Sequence, residues 1–267
     1  MNRTAFSLAL LATCSAHAFV RSKTTSGAPI KWTTNCIEYK LNEIGSADLS
    51  IDEVEVAVTD SFDQWQAPDC SDLRLSYGGR TRDAEAGFKR SGGNQNIVVW
   101  RDTDGSWEHQ QGIIAVTTVT FCTESGSGCP FVGAILDADI ELNGEQFTFT
   151  SSPLAALTRF DVRNTVTHEA GHFLGLDHTP ISQATMFASA PPGERSKGSL
   201  HQDDIQGICT IYPTRAEGPV CVASTGTTTD GSDGCTQTPG RRPTGLGWAL
   251  VGLVGLLGLG VRRGRRR

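Results

Sequence analysis

Basic residues are scarce through the body of this chain. Of its 23 lysines and arginines, five are arginines crowded into the last six positions, Arg262 to Arg267, so the remainder is more acidic than the formal net charge of −6. That excludes the kind of basic face that neutralises nucleic-acid phosphates. Uninterrupted apolar sequence is short. Leu246 to Val261 has 16 residues, slightly below the roughly 20 that span a bilayer as a helix. Internal repeats are missing, which argues against a solenoid or propeller. Methionine occurs only at Met1 and Met186, and histidine only six times. Three of those six histidines fall within eleven residues.

The chain has 267 residues, 38 % hydrophobic and 19 % charged, which suits one globular domain with flanking segments. Arg3, the apolar run Ala5 to Ala12 and Ala16-His17-Ala18 follow the order of an export signal, with cleavage after Ala18. Lipoprotein processing at Cys14 is the alternative. Export makes disulfides plausible for the seven cysteines that remain. Nearest-neighbour pairing gives Cys36–Cys70, Cys122–Cys129 and Cys209–Cys221 and leaves Cys235 over; spacing alone leaves the connectivity open.

Residues 19–30 read as a short polar leader and residues 31–213 as the folded domain. Ile51, Val54, Val58, Phe62 and Trp65 are spaced as one face of a helix. Asn96 to Trp100, Ile113 to Phe121 and Ala138 to Asn143 read as strands. Pro153 to Leu176 reads as a helix stopped by Gly175, and Asp203 to Tyr212 as a last helix closed by Pro213. Residues 214–245 are a Gly/Thr/Ser/Pro-rich linker. Residues 246–267 read as an apolar helix followed by an arginine cluster that would stay on the cytoplasmic side.

The chemistry concentrates in His168-Glu-Ala-Gly-His-Phe-Leu-Gly-Leu-Asp-His178. On a helix, His168 and His172 share a face, where two imidazoles can meet one zinc ion at about 2.0–2.1 Å. Gly175 allows the chain to turn, so that His178 can supply a third ligand. Three protein ligands leave a fourth position for water, the pattern of a catalytic zinc. Glu169 is placed to take that water's proton as general base. The bland alternatives are a buried helix that happens to carry histidines, or a zinc site without catalysis.

At these residues the sequence resembles the metzincin metallopeptidases, whose pattern H-E-x-x-H-x-x-G-x-x-H is matched in full. The resemblance implies an α+β, zincin-like fold: a twisted mixed β-sheet packed with helices, a zinc-binding helix and a small C-terminal subdomain. It also makes Met186, in Ala184-Thr185-Met186-Phe187, the methionine turn under the zinc ligands. Within the metzincins the chain looks most like the matrixins. Lys31-Trp32 with Ile37-Glu38-Tyr39 resembles their first strand, Ile51 to Trp65 their first helix, and Leu200 to Ile208 with Tyr212-Pro213 their last helix. Thr179 after the third histidine argues against astacins.

The resemblance implies a zinc endopeptidase acting on polypeptides, expected as a monomer. Matrixins carry a second zinc held by further histidines, but His109 is the one histidine between the leader and His168. The leader lacks cysteine, aspartate and glutamate, so it offers no zinc-blocking group. Asp102, Asp104, Asp137, Asp139 and Glu141 are candidates for calcium or for plain solvation, and Asp203 and Asp204 for capping or anchoring the last helix. The order Cys235, apolar segment, arginine cluster resembles the C-terminal sorting signals of myxobacterial surface proteins. It implies membrane contact and a bacterial, extracellular or cell-surface setting. A catalytically silent zinc-containing surface module and a zinc hydrolase of non-peptide substrates remain as other readings.

Overall fold

The computed structural model describes residues 18–90, 92–126, 128–152, 154, 158–215 and 221, and the backbone of 250–258. The expected export signal, most of the linker, Cys235 and the arginine cluster lie outside the described residues.

In chain order the elements are β1 (Val20–Arg21), β2 (Lys31–Trp32), β3 (Cys36–Asn42), α1 (Ile51–Gln66), β4 (Arg74–Thr81), β5 (Ile97–Trp100), β6 (Ile113–Phe121) and β7 (Ala134–Leu142). They continue with β8 (Phe149–Thr150), β9 (Phe160–Asp161), α2 (Val162–Phe173), β10 (Leu176–Asp177), β11 (Ser189–Ala190), α3 (Gln202–Ile211) and β12 (Leu250–Gly258). The main sheet has the order β4-β3-β5-β7-β6-β12-β11, with β2 also on β7. Its pairings are parallel except for the antiparallel β6–β7 and β6–β12 ladders. This is the expected α+β architecture.

Each helix shows why it forms where it does. Ser50 closes a capping box on α1: its side chain accepts from the Glu53 N–H while the Glu53 carboxylate accepts from the Ser50 N–H, so two otherwise orphaned donors are satisfied. The periodic residues Val54, Val58, Phe62 and Trp65 are fully buried. Phe62 stacks on Tyr39 of β3 with centroids 3.7 Å apart and meets Phe173 of α2 edge-on at 5.4 Å. Three rings thus join sheet, first helix and second helix through one continuous core.

The helix expected from Pro153 is shorter. Phe160–Asp161 is extended and pairs with β8, and Asp161 then caps α2 by accepting from the Asn164 N–H at 2.8 Å. The apolar pattern continues upstream, but the cap sets the start. The single first strand expected from Lys31 to Tyr39 is two: β2 pairs with β7, β3 with β4 and β5. The leader is also more than a tether, because Val20–Arg21 pairs with β10 and Ser22 donates its N–H to Gly175 at 3.0 Å.

Two cysteine pairings differ from nearest-neighbour expectation. The bonds are Cys36–Cys221 and Cys70–Cys209, with Cys122–Cys129 as expected. Short loops close most easily in an unfolded chain, but the fold sets the final partners. It brings the turn after α1 against α3, where the Ser71 hydroxyl and the Asp72 N–H both donate to the Tyr212 carbonyl. The tail differs too. Instead of a helix, Leu250–Gly258 is a strand, antiparallel to β6 and parallel to β11. Gly252, Gly255 and Gly258 each weaken a helix, and β6 offers an edge to pair with. Among the described residues no helix is long and apolar enough to cross a membrane.

The Cys70–Cys209 bond closes a loop of sequence separation 139. Replacing both cysteines by serine is expected to cost about 2–4 kcal/mol. Denaturant unfolding of the double variant checks this, with peptide mapping under non-reducing conditions to confirm the pairing.

Candidate metal centre

His168, Glu169 and His172 sit on α2, whose residues from Asn164 to Phe173 are all buried. The end of this helix is firmly tied. Trp65 Nε1 donates to the Thr167 carbonyl at 2.8 Å, Trp32 Nε1 to Phe173 at 2.8 Å, and the Tyr212 hydroxyl to Leu174 at 3.0 Å. The last two serve carbonyls that a helix leaves without partners. Gly175 then takes φ +92°, and a Cβ there would press on the Ile30 carbonyl oxygen. The chain turns back through β10 and delivers His178.

The three histidines converge. Nε2 of His178 lies 3.2 Å from Nε2 of His168 and 3.1 Å from Nε2 of His172. The other ring nitrogens are already engaged: Nδ1 of His168 faces the Thr185 carbonyl at 2.6 Å, and Nδ1 of His172 the Leu176 carbonyl at 2.9 Å. A carbonyl only accepts, so both Nδ1 atoms carry the proton and both Nε2 atoms present lone pairs. Nitrogens this close must share either a proton on His178 or a cation. Two nitrogens each about 2.0–2.1 Å from a tetrahedral zinc stand about 3.3–3.4 Å apart, so the donor set fits that ion. Among the described residues this is the one group of three or more His, Cys, Asp or Glu side chains placed to hold a metal. Burial, reinforced by the neighbouring imidazoles, pushes His168 well below its usual range and His172 down to about 3. Burial lowers His178 as well. Neutral imidazole is the ligating form.

Met186 lies under the helix, 2 % exposed. A Cβ on Gly171, between the two helical histidines, would collide with its sulfur and with the Trp65 ring. Asp204, read from sequence as a cap or anchor of the last helix, does more. Its carboxylate accepts from the backbone N–H of Thr185 at 2.8 Å, of Met186 at 3.1 Å and of His201 at 2.9 Å. It therefore caps α3 and fixes the turn whose Thr185 carbonyl orients His168. The His201/Asp204 spacing signals the cap, but nothing in the sequence signals the reach to Met186. Asp203 accepts from the Ala18 N–H at 3.2 Å. Thr117 on β6, which the sequence did not single out, donates its hydroxyl to the Glu169 carboxylate at 2.6 Å.

The other acidic candidates are dispersed. Asp102 accepts from the Ala47 N–H, and Asp104 is exposed. Glu141 is held by Arg101 and by His109, at 2.6 and 2.9 Å. Burial alone would raise its carboxyl, but these two partners bring it below the usual range. His109 is thus spent on its contact with Glu141. Asp137 and Asp139 remain together on β7, each 1 % exposed. Burial, with Asp137 beside it, pushes Asp139 up to about 8.

The whole of residues 31–213 matches the family model for matrixin, Peptidase_M10. The chain is 30 % identical to human (Homo sapiens) neutrophil collagenase over 201 residues, 73 % of this chain and 37 % of that protein. It is 44 % identical to Metalloendoproteinase 1 of Glycine max over 63 residues, 24 % of this chain and 20 % of that protein. It is 26 % identical to Metalloendoproteinase 2-MMP of Arabidopsis thaliana over 163 residues, 60 % and 37 % respectively. The chain thus spans well under half the length of these relatives.

Two outcomes test the site's surroundings. Gly171→Ala should lower stability by about 1–3 kcal/mol through overpacking and weaken zinc retention, read by denaturant unfolding and by a zinc-competition dye. Asp139 binds its proton more tightly folded than unfolded. In metal-free buffer its contribution is therefore present at low pH and lost as pH rises from about 4 through about 8. Thermal scans of wild type and Asp139→Asn should differ by this decline across the window, since the lowered histidines contribute an opposite slope that both proteins share. The family match and the shared zinc-site pattern together place the chain in the matrixin family of zinc metallopeptidases.

Proposed function

We propose that the protein is a zinc-dependent endopeptidase, exported and displayed on or released from a bacterial cell surface. The observation that carries this is the convergence of three Nε2 atoms beside a buried glutamate. In this reading His168, His172 and His178 hold the zinc, Glu169 is the general base, and Met186 is the apolar floor. When bound, zinc supplies Lewis acidity that acidifies water and polarises a carbonyl. Glu169 takes the proton of the attacking water and returns it to the leaving amine.

The division into residues 1–18 as signal, 19–30 as leader, 31–213 as peptidase domain, 214–245 as linker and 246–267 as a sorting tail of myxobacterial type belongs to the same proposal. The disulfides support an oxidising, extracellular setting. A monomer suffices, because all candidate ligands come from one chain. Calcium has its best place at Asp137 and Asp139: Asp137 Oδ2 is buried without a hydrogen-bond partner, and paired carboxylates suit a hard cation.

The full chain should digest unfolded casein, stop with a chelator and recover with zinc. Glu169→Ala should lose about 10²–10⁴-fold in rate while keeping its zinc. A wild type that keeps one zinc yet cleaves nothing across a peptide library would make this a silent surface-binding module instead.

A further inference from the structure

We infer that Thr117 is a positioning residue for the general base, an assignment that rests on the peptidase reading above. Thr117 lies in the middle of β6, completely buried between Ala115 and Val119, which are buried core residues on the same face of the strand. A hydroxyl in such a place costs free energy unless it is hydrogen-bonded. It has two partners, both on Glu169: the carboxylate oxygen Oε2 at 2.6 Å and the main-chain carbonyl at 3.1 Å.

Had the hydroxyl only joined strand to helix, the main-chain carbonyl would be the natural acceptor. A hydroxyl has one proton to give. The carboxylate contact is the shorter by half an ångström. The hydroxyl therefore acts chiefly on the side chain. Glu169 has several rotatable bonds, and α2 fixes only its backbone. Holding Oε2 against β6 fixes the plane of the carboxylate and so the direction in which the other oxygen meets water. The anchor is itself rigid: threonine is β-branched with a restricted χ1, and Thr117 is paired with Ile140 in the β6–β7 ladder. A misplacement of about 1 Å in a reacting group can cost on the order of a hundredfold.

The test uses the full chain as wild type, Thr117→Val, Thr117→Ser, Glu169→Ala and the Thr117→Val/Glu169→Ala double variant. Valine keeps the shape and removes the donor; Thr117→Ala takes its place if the valine variant does not fold. Kinetics on a quenched peptide are read alongside zinc content and thermal midpoint. The assignment expects kcat to fall ten- to a hundredfold in Thr117→Val, with KM within about twofold and one zinc per chain retained. Thr117→Ser should return to within about threefold of wild type. In the Glu169→Ala background the valine should have no further effect. The assignment is overturned by an unchanged kcat, by a loss that tracks zinc content or thermal midpoint, by a loss serine does not restore, or by full additivity with Glu169→Ala. A wild type without peptidase activity overturns the underlying reading and this assignment with it. A wild type that cleaves beside an equally active Thr117→Val overturns this assignment alone.

Discussion

Two imidazole lone pairs, on His168 and His172, converge on the ring nitrogen of His178 in the interior of the protein. Everything near them follows from that constraint. A cation held by nitrogens 3.1–3.2 Å apart needs rings fixed rigidly enough that they cannot turn away. The fold does this with backbone carbonyls on Nδ1 of two rings, and those carbonyls are fixed in turn. Leu176 lies in the short β10 pairing with β1, and Thr185 is clamped by Asp204 from α3. Elements as distant in sequence as residue 20 and residue 204 therefore meet on the same three rings. In metal proteins, such outer partners set ligand orientation and basicity.

The parts of the site that were legible in the sequence are those with a local period. His168, Glu169 and His172 fall in one helical turn and a half, and Gly175 announces where the turn ends. The match of α1 to Ile51–Gln66 has the same origin: a capping box followed by apolar residues at helical spacing. Illegible parts depend on contacts across the sheet. Thr117 is one threonine among several in a uniformly buried strand, and only its pairing with α2 distinguishes it. Asp204 reads as a cap because the cap is local, while its hold on Met186 crosses 18 residues. The start of α2 was misplaced because apolar sequence upstream obscures a single decisive aspartate.

Arg101 and His109 both face Glu141, so a protein cation balances the buried carboxylate. The pair is partly sheltered, and truncating Arg101 alone would strand a buried charge. Tight helix-to-sheet packing continues elsewhere through the Tyr39–Phe62–Phe173 ring series, which leaves the zinc helix little freedom.

The Cys36–Cys221 bond bears on what a cut in the chain would release. Cys36 opens a strand in the interior of the sheet, and Cys221 lies eight residues beyond Pro213. A protease that nicks the chain between those two positions severs the peptide bond but not the connection, since the sulfurs still hold both pieces. Shedding of the domain in an oxidising medium would therefore require a cut beyond Cys221, whereas a nick before it becomes a release only once a reductant arrives.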